Sequence, residues 1–284
     1  MSNQSLTTCN ILMLLLRANE RAPEPCCKEW NLAFFKKIHT RLPRELRDIV
    51  YEHLWDEVDL KQHRDLMEES LNGLYCAEHI PRMRFKEHPH YIKPTYVGSQ
   101  AALEVVEAWY KAMGLTSTRP VVLQNLRQIE RFVTEDVFFV GVNPAKAARR
   151  LDLDLDMKHA IFMTPDGWCD EDRFMARYQL KFLDKIEKKR GFQLNIRLEQ
   201  ETVRLDMWPL ALELFEPVLS TFKKEGAHVR ISWAYQHTYS PRLDPFEIEL
   251  NSLVENRSLD WKRDVIAQLD NVSYLPPLRL FTYN

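Results

Sequence analysis

Three stretches of the chain alternate apolar and polar residues with a period of two. They are Leu151/Leu153/Leu155 with Asp152, Asp154 and Asp156 interleaved, then Leu194/Ile196/Leu198, then Val229/Ile231/Trp233. Successive strand residues point to opposite faces, so each stretch predicts a strand with one face buried and the other wet. The second and third are approached alike. Lys188-Lys189-Arg190-Gly191 and Lys223-Lys224-Glu225-Gly226 close helical stretches predicted over 170–190 and about 209–225. Basic residues there meet the negative end of the helix dipole, and glycine permits a left-handed exit. Gly191 and Gly226 stand 35 residues apart, and so do Leu194 and Val229. The second half therefore reads as two imperfect helix–strand repeats.

Strands joined in sequence by helices pair in parallel through right-handed crossovers. The stretch Val121-Val122-Leu123 and the helix expected after Asn125 lead into the acidic strand at 151–157. Parallel strands covered on both faces are continuously apolar, and these alternate. The expectation is a curved sheet with helices mainly on one face. Its open face would carry Asp152, Asp154, Asp156, Asn195, Arg197, Glu199, Arg230 and Ser232.

The first half has helical rhythm instead. Leu42-Pro43-Arg44-Glu45-Leu46-Arg47-Asp48-Ile49-Val50-Tyr51-Glu52-His53-Leu54-Trp55 is the clearest segment, with Pro43 suited to the first helical position. Leu42, Leu46, Ile49, Val50 and Leu54 share one face. A second helix is predicted over about 62–75 and a third from Ser99 to just before Gly114, with Cys76–Pro94 a loop between them. Residues 1–29 read as a lead-in broken by Pro23 and Pro25, and Leu278–Phe281 as a final strand. The expected class is α+β with an α/β-like C-terminal half. Its parts are a flexible lead-in over 1–29, a helical region over 30–118, and a repeat-like region over 119–284.

Composition narrows the function. With 45% hydrophobic residues in 284, the chain can build a large core, yet it has no apolar run near the ~20 residues a membrane span needs. No Lys or Arg precedes Arg17, so the positive start of a secretory signal is missing. Five cysteines, Cys26 and Cys27 adjacent, do not suggest a disulfide framework. A cytoplasmic or nuclear protein, not a secreted one, is expected. Lys+Arg 39 against Asp+Glu 41 gives no general attraction to nucleic acid or anionic lipid.

Enzyme signatures fail together. The seven glycines are scattered, and no phosphate-cradling glycine loop, G-x-S-x-G elbow or H-E-x-x-H pair occurs. No catalytic residue, cofactor or metal site is therefore assigned. Cys76, His79, His88 and His90 could supply zinc-type ligands, but Pro89 splits the last pair and Arg82, Arg84 and Lys86 oppose a cation. Asp152, Asp154 and Asp156 lie ~6.6 Å apart along one strand face. A solvated face partly neutralised by Arg197 accounts for them better than a cation site. Lys36, Lys37, Arg41, Arg44 and Arg47 near Phe34 and Phe35 could contact RNA, but interleaved Glu45, Asp48 and Glu52 favour pairing along a helix.

Between Leu42 and Val58, apolar side chains cover about half the helix circumference, wider than the ~100° stripe one core contact needs. A helix so coated either sits deep in its own domain or meets a partner on its outer flank. Its residues, Leu42-Pro43-x-Glu45-Leu46-x-x-x-Ile49-x-x-x-x-Leu54 followed by Asp59-Leu60, resemble the start of an F-box. The whole string is similar to the F-box-like motif of fungal proteins. The resemblance implies docking without catalysis. The chain would be a substrate receptor of a Skp–cullin–F-box ubiquitin ligase, with Leu42, Pro43, Leu46, Ile49 and Leu54 meeting the Skp adaptor. An unknown protein target would meet the sheet face, at Asp152, Asp154, Asp156, Arg197 and Arg230. The C-terminal repeats look like degenerate leucine-rich repeats. The alternative is a self-contained scaffold or ligand-binding protein whose F-box-like helix is core.

Overall fold

A computed structural model describes residues 24–55, 57–71, 88–115, 120–156, 170–200, 208–235 and 246–249. The class is α+β. The elements run α1 (Glu24–Arg41), α2 (Arg44–Glu52), α3 (Glu57–Leu71), a 3-10 turn at His90–Ile92, α4 (Pro94–Val97), α5 (Ser99–Leu115), β1 (Val122–Leu123) and α6 (Arg127–Thr134). There follow α7 (Pro144–Ala147), β2 (Arg150–Asp156), α8 (Asp170–Leu180), a 3-10 turn at Lys181–Lys185, β3 (Gln193–Gln200), α9 (Trp208–Lys224), β4 (His228–Tyr235) and β5 (Phe246–Glu249). The chain forms two compact units, one of residues 1–121 and 134–149, the other of 122–133 and 150–284.

The helical unit departs from the sequence reading at its boundaries. α1 begins at Glu24, inside the expected lead-in. Pro25 sits in its first turn, where a missing N–H has no helical acceptor to leave empty. Pro43 does not begin α2. It caps the helix in extended conformation (φ −63, ψ 162), and its carbonyl accepts the Arg47 N–H at 3.1 Å. The helix ends at Glu52, before Leu54 and Trp55. α3 starts five residues ahead of Gln62, and α5 runs through Gly114 to Leu115. The glycine that turns is Gly98 (φ +85), which separates α4 from α5. The core of this unit is aromatic. Trp109 lies 5.1 Å from Phe138 and 6.4 Å from Trp55, all buried, and Phe35 stacks on Tyr51 at 6.2 Å. Residues 134–149 return to this unit to bring in Phe138.

The second unit is a five-stranded sheet in the order β1-β2-β3-β4-β5. The first four strands are parallel and β5 runs antiparallel to β4. The 35-residue spacing is the physical register, with Leu194 opposite Val229 and Ile196 opposite Ile231. Burial alternates in β2 and β3, where Leu151, Leu153, Leu155, Leu194, Ile196 and Leu198 are buried and the residues between them stay half-exposed. In β4, Ile231, Ser232, Trp233 and Ala234 are all buried, so Ser232, expected on the open face, is not exposed there. α9 packs against β4, and Phe222 from its last turn meets Phe192 at 5.7 Å. α8 stops at Leu180, ten residues short of expectation. The tighter turn that follows carries Leu183 and Ile186 into the core. Gly191 (φ +73) and Gly226 (φ +85) make the turns into β3 and β4. The strand expected at 278–281 lies outside the described residues. Among the described residues, no helix is long and apolar enough to cross a membrane.

Candidate functional site

The arginines of α2 point inward. Arg44, Arg47, Asp48 and Tyr51 follow i, i+3, i+4, i+7 spacing and so share one side of the helix. That side meets Gln100, Glu104, Glu107 and Lys111, which share one side of α5. Arg47 grips Glu104 with both ends of its fork, Nε to Oε2 at 2.9 Å and Nη2 to Oε1 at 3.0 Å. Arg44 adds Nη1 to Glu104 Oε1 at 3.1 Å and Nη2 to Glu107 Oε2 at 2.6 Å. Lys111 Nζ reaches Asp48 Oδ2 at 2.6 Å, and Gln100 Nε2 donates to Glu104 Oε1 at 3.1 Å.

Glu104 is only 1% exposed. Burial alone would raise its pKa. The bonds from Arg47 and Gln100, with Arg44 and His39 nearby, outweigh burial and hold the carboxyl below the ordinary glutamate value. Asp48 follows the same logic: burial is overcome by Lys111 and Arg44. The basic cluster considered for RNA is thus partly spent on this chain's own carboxylates.

Because the charged side turns in, the apolar side turns out. Leu46 is 47% exposed and Ile49 39%, with Pro43 exposed and Leu42 and Val50 half-buried. Leu54 departs from the expected docking set. It is 2% exposed, because the chain leaves the helix at His53 and turns Leu54 and Trp55 into the core, where Trp55 Nε1 donates to the Val105 carbonyl at 2.9 Å. A side chain so placed has no surface to offer an adaptor. The structure therefore gathers Leu46 and Ile49 with their flanks and separates Leu54 from them. The sequence reading missed Glu104 and Glu107. Their spacing with Gln100 and Lys111 along one face of α5 was the available signal.

The sheet face carries the other predicted residues, and register sorts them into rows. The first row, at the strand starts, is Arg150, Gln193 and His228, with no acid. The second holds Val122, Asp152, Asn195 and Arg230. Then come Asp154, Arg197, Ser232 and Glu249, and last Asp156, Glu199, Ala234 and Glu247, with three carboxylates and no cation. Charge thus changes sign along the strands.

Neighbours pair within this gradient. Arg150 Nε lies 3.0 Å from Asp152 Oδ1, which also accepts from Asn195 Nδ2 at 2.8 Å. Arg197 Nη1 bridges Asp154 at 3.0 Å and Glu199 at 2.7 Å, while Arg230 reaches Glu247 only at 3.5 Å. Burial, then the charges of Asp154 and Asp156, push the Glu199 carboxyl up against the pull of Arg197.

Of the candidate metal ligands, His88 and His90 fall within the described residues. His88 stacks on His63 at 5.3 Å and His90 on Tyr96 at 4.3 Å, while Cys76 and His79 lie outside the described residues. Among the described residues, no group of three or more His, Cys, Asp or Glu could hold a metal ion. No protein-family model, curated protein or solved structure matches the chain.

Proposed function

We propose that the chain is a non-catalytic, F-box-like substrate receptor of a Skp–cullin–F-box ubiquitin ligase, acting in the cytoplasm or nucleus. Leu46 and Ile49 dock the Skp adaptor, flanked by Leu42 and Pro43. Asp152, Asp154, Asp156, Arg197 and Arg230 present the charge-graded face to a protein target. The observation that carries this reading is the outward apolar side of α2. A short helix that pairs its arginines with carboxylates of its own chain and leaves Leu46 and Ile49 exposed has a face awaiting cover. Covering Leu46 and Ile49, each about half-exposed, would contribute roughly 1 kcal/mol apiece by area, as the centre of a larger contact. The competing reading is a self-contained scaffold whose F-box-like segment serves its own core, and the burial of Leu54 and Trp55 favours it.

Size-exclusion chromatography with light scattering, on the full chain mixed with a Skp adaptor, separates the two. A 1:1 complex is expected, and it should be lost in the Leu46→Asp/Ile49→Asp variant. Both residues are exposed in the free protein, so the variant should keep its helical circular dichroism. Two separate peaks for the parent chain, or a complex untouched by the double substitution, would refute docking through α2.

A further inference from the structure

The cationic end of the sheet face holds a depression of about 330 Å³, lined by Gln193, Asn195, Lys223, His228 and Arg230 together with Ala227 and Val229. We propose that it is an oxyanion site for a phosphoryl group, carried by a phosphate ester or free as phosphate. Its volume is at the small end of the ~300–1,000 Å³ typical of ligand clefts. Its lining includes a lysine, an arginine, an imidazole and two amides, and no carboxylate. A phosphoryl group at neutral pH carries roughly −1.5 to −2 charges and three acceptor oxygens, which suits several separate donors around one point. A carboxylate would be satisfied by the fork of a single arginine and would leave the rest unused.

The donors are held in place by backbone. Gln193 stands opposite His228, and Asn195 opposite Arg230. His228 and Arg230 leave β4 on one side, two residues and hence ~6.6 Å apart. The His228 N–H donates to the Phe192 carbonyl at 2.7 Å, and the Gly191 N–H to the Gly226 carbonyl at 2.9 Å, so the turns into both strands are tied together. Lys223 enters from the last turn of α9. Arg230 is 55% exposed and meets Glu247 only at 3.5 Å, whereas Asn195 already gives one amide N–H to Asp152, which Arg150 also holds, and keeps one for a ligand.

This site goes beyond the adaptor reading and shares no residue with α2, so either can fail alone. The test is isothermal titration of the full chain with inorganic phosphate and with O-phospho-L-serine, at ionic strength held constant with sodium chloride. Saturable binding with a Kd in the millimolar range or tighter is expected for at least one of them. Arg230→Gln and Lys223→Gln should each weaken it about tenfold or more, the loss of one charge-assisted bond. Arg177→Gln, on the exposed surface of α8, should leave it unchanged. Tighter binding of phosphoserine assigns a phosphate ester, and equal binding assigns free phosphate. Absence of saturable binding, or binding that survives both substitutions in folded variants, overturns the proposal.

Discussion

The orientation of α2 rests on Arg47 and Glu104, and their coupling can be measured. Removing one partner of a buried ion pair costs about 3–5 kcal/mol, because the other charge stays buried and uncompensated. Here Arg44 Nη1 and Gln100 Nε2, each 3.1 Å from Glu104 Oε1, would remain to hold the carboxylate. Arg47→Ala should therefore cost less than the full penalty, about 2–3 kcal/mol. Glu104→Ala should cost a similar amount or less, since Arg44 keeps Asp48 and Glu107. The double variant should be less destabilised than the sum of the singles, with a coupling of about 1–3 kcal/mol. Urea unfolding followed by far-ultraviolet circular dichroism at neutral pH gives each value, provided the slope is unchanged between variants. A cost below about 0.5 kcal/mol with no coupling is what exposed residues give. That result would mean a different side of α2 meets α5. Leu46 and Ile49 would then lose their place on the outer face, and the docking proposal with it.

Two further outcomes follow from the same physics. His63 is buried against Trp55, His88 and Phe138, and its Nδ1 lies 2.8 Å from the Asp59 carbonyl, which can only accept. Nδ1 therefore carries the proton, and burial holds the imidazole pKa below its ordinary 6.5. The unfolded chain binds that proton first, so the stabilisation is complete above pH 6.5 and is lost as pH falls below it. The urea midpoint should drop between about pH 7.5 and 5.5, less so in His63→Phe; equal slopes in both proteins would contradict this. Gly226→Ala forces a side chain into φ +85, at a cost of about 1–2 kcal/mol read as a lower unfolding temperature. The new Cβ would sit 3.5 Å from Arg190 Cγ, an ordinary contact, so an unchanged unfolding temperature would speak against the left-handed turn itself.

The second unit was legible in the sequence because independent signals agreed there. Period-two alternation marked the strands, glycine after a basic helix end marked the turns, and the 35-residue spacing anticipated the pairing of Leu194 with Val229. One-sided alternation also identified Asp152, Asp154, Asp156, Arg197 and Arg230 as sharing a face. The gradient along that face was not legible, since it depends on which residues of different strands lie side by side. Arg150, Gln193 and His228 form an acid-free row only after the register is known. β5 was hidden for a different reason: four residues are too few for alternation to stand out.

The apolar stripe of α2 shows the limit of periodicity. Spacing tells which residues share a side of a helix but not whether that side faces the core or the outside. Apolar surface inward is the ordinary answer, and here the deciding term lies on another helix. Glu104 and Glu107 on α5 recur at the spacing of Arg44 and Arg47 on α2, so the two charged sides complement each other. Presenting Leu46 and Ile49 to α5 instead would leave Glu104, 1% exposed, without either arginine beside it. An unpaired buried carboxylate costs several kcal/mol, more than the roughly 2 kcal/mol gained by covering two half-exposed aliphatic side chains. Leu54 escapes this balance because the helix has ended by then, and it finds the core by a turn. Extending the period past Glu52 is what placed it wrongly on the docking face. The outward position of Leu46 and Ile49 thus follows from the charges they sit opposite, and it makes them a face available to a partner.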